Sequence, residues 1–147
     1  MNLRLIFTVI ISKLLIRLCR ITKFGGTTLP GKVARKIYPG VVKAITKDFK
    51  IIMVTGTNGK TTTTRIIAQI FKENNIDFIT NRSGANLVSG VVTTFIDSVD
   101  IRGRSGVSTA LIEIDEAPFN VMSDLLEPDI LVLTNFFRDQ LDRYGEL

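Results

Sequence analysis

The sequence predicts an α/β fold in which a parallel sheet carries helices on its faces, preceded by a basic, amphipathic N-terminal helix. Two observations carry this expectation. From Lys50 onward, short β-branched apolar runs alternate with helical patterns, and such alternation calls for parallel strands joined by crossover helices. In addition, the run Lys50-Ile-Ile-Met-Val-Thr-Gly-Thr-Asn-Gly-Lys-Thr-Thr-Thr-Thr64 joins an apolar strand to a glycine-bearing turn, a lysine and a row of hydroxyls. That order of residues is suited to holding nucleotide phosphates.

The pattern divides the chain into three parts: an amphipathic helix within residues 1–23, a linker with a short helix over 24–49, and an expected nucleotide domain from 50 to 147. Residues 3–18 are rich in Leu, Ile, Val and Phe, but Arg4, Lys13 and Arg17 break the run. It is too short to span a bilayer, and no small-residue cleavage site follows as a secretory signal would require. Lys13, Arg17 and Arg20 recur at helical spacing. That face suits either a membrane surface or packing on the body of the protein, and the residues leave the choice open. Gly25-Gly26-Thr-Thr-Leu-Pro-Gly31 and Tyr38-Pro39-Gly40 are turn signals, with a short helix expected near 41–47. Beyond them the pattern places strands at 50–54, 76–80, 107–114 and 129–134, and helices at 61–74, 84–98, 116–126 and 136–143.

Composition narrows the chemistry. The chain has 147 residues, 45% apolar and 22% charged, enough for one domain with a core. It has no histidine and a single cysteine, Cys19. Imidazole-based nucleophilic mechanisms, disulfide frameworks and cysteine-ligated zinc are therefore excluded within this sequence, and a reducing, cytoplasmic setting follows. Residues 1–50 hold 11 Lys or Arg against one acid, whereas the remainder is net acidic. The basic half lacks the aromatic and basic interleaving of a nucleic-acid binder, so an anionic membrane face is its better electrostatic partner.

Gly56 and Gly59 let the backbone curl so that its N–H groups face phosphate oxygens. Thr57 and Asn58 lie between them. Lys60 reaches phosphate as a point charge, and the hydroxyl of Thr61 or Thr62 can complete the shell of a phosphate-bound Mg²⁺. The strict phosphate-loop pattern has glycine where this chain has Val54, so the motif is matched in part. A plain turn with an exposed lysine leaves four consecutive threonines unexplained. The following helix presents its positive end to the same anion, with Ile66, Ile67, Ile70 and Phe71 at the spacing of a buried stripe.

Ligands of open parallel sheets gather beyond the carboxyl ends of the strands. There the sequence places Asn81-Arg-Ser-Gly-Ala-Asn86, Glu113-Ile-Asp-Glu116 and Thr134-Asn135-Phe-Phe-Arg-Asp-Gln-Leu-Asp142. Glu113, ending a buried strand, is the metal candidate. Asp115 either joins it or caps the next helix, and Glu116 stands beside it. Asn135 and Asp139 orient nucleotide or substrate, or Asn135 is a turn former. Asn81 and Ser83 carry the same two readings. Arg82, Arg138 and Arg143 are candidate grips for carboxylate or phosphate.

Taken together, Gly56-Thr-Asn-Gly-Lys-Thr-Thr62, Glu113, Thr134-Asn135 and Asp139-Gln-Leu-Asp-Arg143 resemble the central ATPase domain of the Mur ligases. Leu29-Pro-Gly-Lys32, Asn81–Asn86, Glu113–Glu116 and Arg138-Asp-Gln-Leu-Asp-Arg-Tyr-Gly145 are similar to the MurT-type branch of that family, the ligase-like subunits of lipid II isoglutaminyl synthase. The resemblance implies a fold of the P-loop-type Mur central domain. It implies ATP and Mg²⁺ as cofactors, with Lys60 on the phosphates and Thr61 and Glu113 on the metal. It further implies activation of the D-glutamate α-carboxylate of lipid II as an acyl phosphate, with ammonia supplied by a GatD-like glutaminase partner. Glu113 and Asp139 would then be the catalytic residues, and a lipid-linked substrate would place the protein at the inner membrane face. Where the wider family has histidine this chain has Gln140, so a second, imidazole-held metal is not expected. Family members continue past the point matching Leu147 into a zinc insertion and a further domain, so the expectation is a partial central domain. A nucleotide-binding remnant without turnover, or another Mur-type amino-acid ligase, are the alternatives.

Overall fold

In the computed structural model, residues 2–22, 28–81 and 85–135 are described. They form helices α1 (Leu3–Ile21), α2 (Leu29–Ile37) and α3 (Val41–Thr46), then strand β1 (Lys50–Thr55), helix α4 (Lys60–Glu73), strand β2 (Ile79–Thr80), helix α5 (Val88–Ser98), strand β3 (Thr109–Glu113), helix α6 (Phe119–Leu126) and strand β4 (Ile130–Leu133). The strands make one parallel sheet in the order β2-β3-β1-β4. The expected α/β architecture is what the chain adopts. Val54 pairs with Glu113 on one side of β1 and with Val132 on the other, so the carboxyl ends of the three longest strands lie side by side.

Alternate residues of a strand point to opposite faces. Ile51 and Met53 of β1 and Ala110 and Ile112 of β3 enter one apolar core with Val9, Ala34, Val42, Phe95 and Met122, contributed by helices α1, α2, α3, α5 and α6. Phe95 meets Phe49 edge to face at 5.2 Å. Helix α4 packs on β1 and β3 apart from that cluster. Asn74 caps it and Asn75 follows at φ 54°, a left-handed step that Asn accepts at a helix end.

Four local expectations are corrected. Residues 29–37 are helical rather than linker. Pro30 sits in the first turn, where its missing N–H is not needed, and Gly31 lets α2 approach α5 so closely that a Cβ would collide with the Ser89 carbonyl. The stripe on α4 is not buried: Ile66 and Ile70 are more than half exposed and Thr64 alone is buried. The sheet ends at β4 among the described residues, whose Ile130, Leu131 and Leu133 are exposed as well. Strand β2 is only Ile79–Thr80, because it pairs with β3 through those two residues alone. Finally, α6 starts at Phe119 with Pro118 as its cap, since the residue before a proline is kept out of helical geometry. Asp115 therefore does not cap it. The expected helix over 136–143 lies outside the described residues.

Helix α1 is not a free arm. Leu5, Thr8, Val9, Ser12 and Ile16 are buried, with α2, α3 and α5 as neighbours. Asn2 caps it by accepting the Leu5 N–H, and two of its three spaced cations reach α5, where Arg20 pairs with the Asp97 carboxylate and Lys13 donates to the Asp97 carbonyl.

Candidate functional site

Strand β1 ends at Thr55, and the turn Gly56–Gly59 feeds straight into α4. Gly56 has φ 131° and Gly59 has φ 83°, conformations that a Cβ penalises. At Gly56 space is also denied, because a Cβ would strike Thr134 Oγ1 and lie 2.7 Å from the Asn135 carbonyl. Among the described residues nothing crowds the corresponding position at Gly59, where the left-handed backbone is the requirement.

Thr134 and Asn135, beyond the end of β4, brace this turn. The Thr57 N–H donates to the Asn135 carbonyl at 3.0 Å, and the Asn58 N–H donates to Asn135 Oδ1 at 2.9 Å. In return Asn135 Nδ2 donates to the Asn58 carbonyl at 3.0 Å, and Thr134 Oγ1 donates to the same oxygen at 2.7 Å. These bonds fix the outer half of the turn. The first four N–H groups of a helix lack intrahelical acceptors, and in α4 they lie at the end of a 14-residue helix whose dipole favours an anion.

Lys60 opens α4 and folds back over the turn. Its Nζ donates to the Gly56 carbonyl at 2.7 Å and pairs with Glu116 at 3.3 Å and Asp115 at 3.6 Å, with only 12% of the side chain exposed. Position along the chain did not reveal this pairing; the one available signal was that both acids follow Glu113 at a strand end. Glu116 Oε1 is buried and has no hydrogen-bond partner among the described residues, an unmet acceptor of the kind a ligand or water satisfies.

Glu113 is 6% exposed and its carboxylate is oriented by two donors. Thr61 Oγ1 donates to Oε1 at 2.9 Å, and Asn86 Nδ2 donates to the same oxygen at 3.0 Å. Asn81 holds the backbone behind it, accepting the Glu113 N–H at 2.9 Å and donating to its carbonyl at 2.8 Å. Asn81 and Asn86 also bond each other at 3.0 Å.

The structure thus brings together Gly56, Thr57, Asn58, Gly59, Lys60, Thr61, Glu113 and Asn135. Thr62 is exposed on α4, and it is Thr61 that meets Glu113. Arg82, Ser83, Arg138, Asp139, Gln140, Asp142 and Arg143 lie outside the described residues. Among the described residues no group of three or more His, Cys, Asp or Glu is placed to hold a metal by itself. One carboxylate and one hydroxyl in contact do suit a hard cation that brings phosphate oxygens and water as its other ligands.

The Mur ligase middle domain, as a family, matches residues 54–147. The chain is 43% identical over 122 residues to "Lipid II isoglutaminyl synthase (glutamine-hydrolyzing) subunit MurT" of Streptococcus pneumoniae, and 41% identical over 123 residues to the protein of that name from Staphylococcus aureus. Each match covers 83% of this chain and 27% of the relative. A "UDP-N-acetylmuramate--L-alanine ligase" of a Wolbachia species is 33% identical over 72% of this chain and 18% of its own length. The chain therefore spans about a quarter of the length of the MurT relatives it matches.

Proposed function

The chain belongs to the Mur ligase family through its middle domain, and on that premise we propose that it is the ATP-binding part of a MurT-like subunit of lipid II isoglutaminyl synthase. The observation that carries the reading is one continuous arrangement: a glycine turn, Lys60 folded over it, and Thr61 in contact with Glu113. It is joined by the 41–43% identity to proteins named as that subunit.

In this reading the N–H groups at the start of α4 and the Lys60 ammonium receive the phosphates of ATP. Lys60 gives up the Gly56 carbonyl and the Asp115–Glu116 pair for phosphate oxygens. Thr61 and Glu113 would hold Mg²⁺, which supplies charge neutralisation to the transferring phosphoryl group. Asn81 and Asn86 keep the Glu113 carboxylate aimed at the turn. Phosphoryl transfer asks the protein for positioning more than covalent participation, and the braced turn supplies positioning.

On the substrate side the relatives' names, which give a glutamine-hydrolysing lipid II isoglutaminyl synthase subunit, are extended by what the family resemblance implies. The γ-phosphoryl passes to an oxygen of the D-glutamate α-carboxylate of lipid II and ADP leaves. Ammonia released from glutamine by a GatD-like partner then displaces phosphate to give the amide. Glu113 and, outside the described residues, Asp139 are the proposed catalytic acids. Use of ATP places the site on the cytoplasmic side.

Titration of the chain with Mg-ATP tests the core of the proposal. Lys60→Ala is expected to weaken binding about 10- to 100-fold, the cost of one charged contact. Equal affinity in wild type and variant overturns phosphate binding at this turn. Ammonia-dependent amidation of a lipid II analogue by the whole protein with its glutaminase tests the reaction, and ATP binding without amidation reduces the claim to the nucleotide.

A further inference from the structure

Helix α1 has two apolar faces, and the fold uses only one. Leu5, Val9 and Ile16 are buried against the other helices. Leu3, Phe7, Ile10, Leu14, Leu18 and Ile21 recur every three or four residues, so they form a second stripe along the opposite side. All six are exposed, from 40% at Ile10 to 79% at Ile21. Isolated exposed apolar residues need no explanation, whereas a contiguous stripe marks an interaction surface.

The charges of α1 say what kind of surface it meets. Arg4, Lys13, Arg17 and Arg20 are its only ionisable side chains other than Cys19, and no acid occurs between Leu3 and Ile21. Lys13 and Arg20 engage Asp97 along one border of the stripe, while Arg4 on the other border donates to the Ile37 carbonyl and lies over the Tyr38 ring. Arg17 is exposed beside the stripe. An apolar strip on a helix that carries cations and no acid complements an apolar layer topped by anions, which is the boundary of an anionic bilayer. No helix among the described residues is long and apolar enough to cross a membrane, and the inner face of α1 is committed to the protein core. The helix can therefore only lie in the surface plane.

We propose that the outward face of α1 seats this domain on an anionic lipid bilayer, with Phe7, Leu14 and Leu18 at the acyl boundary and Arg17 among the headgroups. The inference rests on α1 and is independent of the nucleotide reading. Deleting α1 would uncover the core, so the test changes its outward face alone.

Flotation of the 147-residue chain with phosphatidylglycerol–phosphatidylcholine vesicles is the experiment, with pure phosphatidylcholine vesicles and high salt for comparison. Binding is expected to require the anionic lipid, to weaken with salt, and to fall by roughly tenfold or more in Leu14→Glu/Leu18→Glu, which removes apolar burial and adds repulsion. Ile66→Glu/Ile70→Glu, on exposed apolar positions of α4 away from α1, should bind as wild type, and circular dichroism confirms that each variant is folded. Because the chain has no tryptophan, Leu14→Trp supplies a single reporter whose emission should shift to the blue on vesicles and be quenched by brominated lipid. Absence of flotation, an unshifted emission from the introduced indole, or equal losses in both double variants overturns the proposal. So does a wild-type dimer that Leu14→Glu/Leu18→Glu dissociates without any vesicle binding, which assigns the face to a second copy of the chain. Mg-ATP titration of the same variant reads the nucleotide site separately.

Discussion

The side-chain amide of Asn135 grips both backbone groups of Asn58, accepting its N–H at 2.9 Å and donating to its carbonyl at 3.0 Å. Asn135, two positions beyond the end of β4, thereby completes for the turn the paired bonding that a neighbouring strand would give. The candidate phosphate turn is held from beyond β4 as well as from β1.

Asn135→Asp keeps an oxygen for the Asn58 N–H but sets a carboxylate against the Asn58 carbonyl. Mg-ATP affinity, measured by calorimetric titration, is expected to drop about tenfold, one lost hydrogen bond and one new repulsion. Unchanged affinity would show that Thr134 suffices to hold the turn.

At Glu113 the isosteric change Glu113→Gln retains an oxygen for Thr61 and Asn86 while removing the charge. Its thermal stability should stay close to wild type. The gain in ATP affinity on adding Mg²⁺ should shrink by about tenfold or more, because a neutral amide is a poor ligand for a hard cation. A Mg²⁺ dependence equal to wild type removes Glu113 from the metal shell.

Gly31→Ala tests the crossing of α2 and α5. The added methyl would collide with the Ser89 carbonyl and lie 2.9 Å from Thr93 Oγ1, which accepts the Gly31 N–H. Forcing the helices apart is expected to cost about 1–3 kcal/mol, seen as a lower urea midpoint. A midpoint equal to wild type would mean that α2 is not fixed against α5.

Asp100 holds the loop after α5. The backbone N–H of Arg104 chiefly, and that of Arg102, donate to its carboxylate at 2.9 and 2.8 Å and keep its pKa below the ordinary value against the opposing effect of desolvation. A lowered carboxyl pKa stabilises the fold above the unfolded-state value, and the contribution disappears as pH falls through the folded one. Asp100→Asn keeps the acceptor without the titration. Its melting temperature should decline less than that of wild type between neutral pH and about pH 3; parallel declines would contradict the assignment.

The sequence by itself determined the alternation of strand and helix, the parallel sheet, the turn at Gly56–Lys60 and the position of Glu113 at the end of its strand. Each of these is written in local residue order, where side-chain period and backbone permissiveness act over a few positions. Only the tertiary structure decided that residues 29–37 are a helix, because Gly31 is favoured there by the closeness of α5 rather than by its neighbours in the chain. The same is true of Lys60 meeting Asp115 and Glu116, and of Asn135 closing on Asn58, pairs separated by more than 50 residues and joined only once parallel strands align their ends. For α1, periodicity announced an apolar helix with a basic side, and two destinations for it fitted equally well. Packing gave Lys13 and Arg20 to Asp97 and left six apolar residues outward, since which face of a helix is buried depends on the surface it lands on.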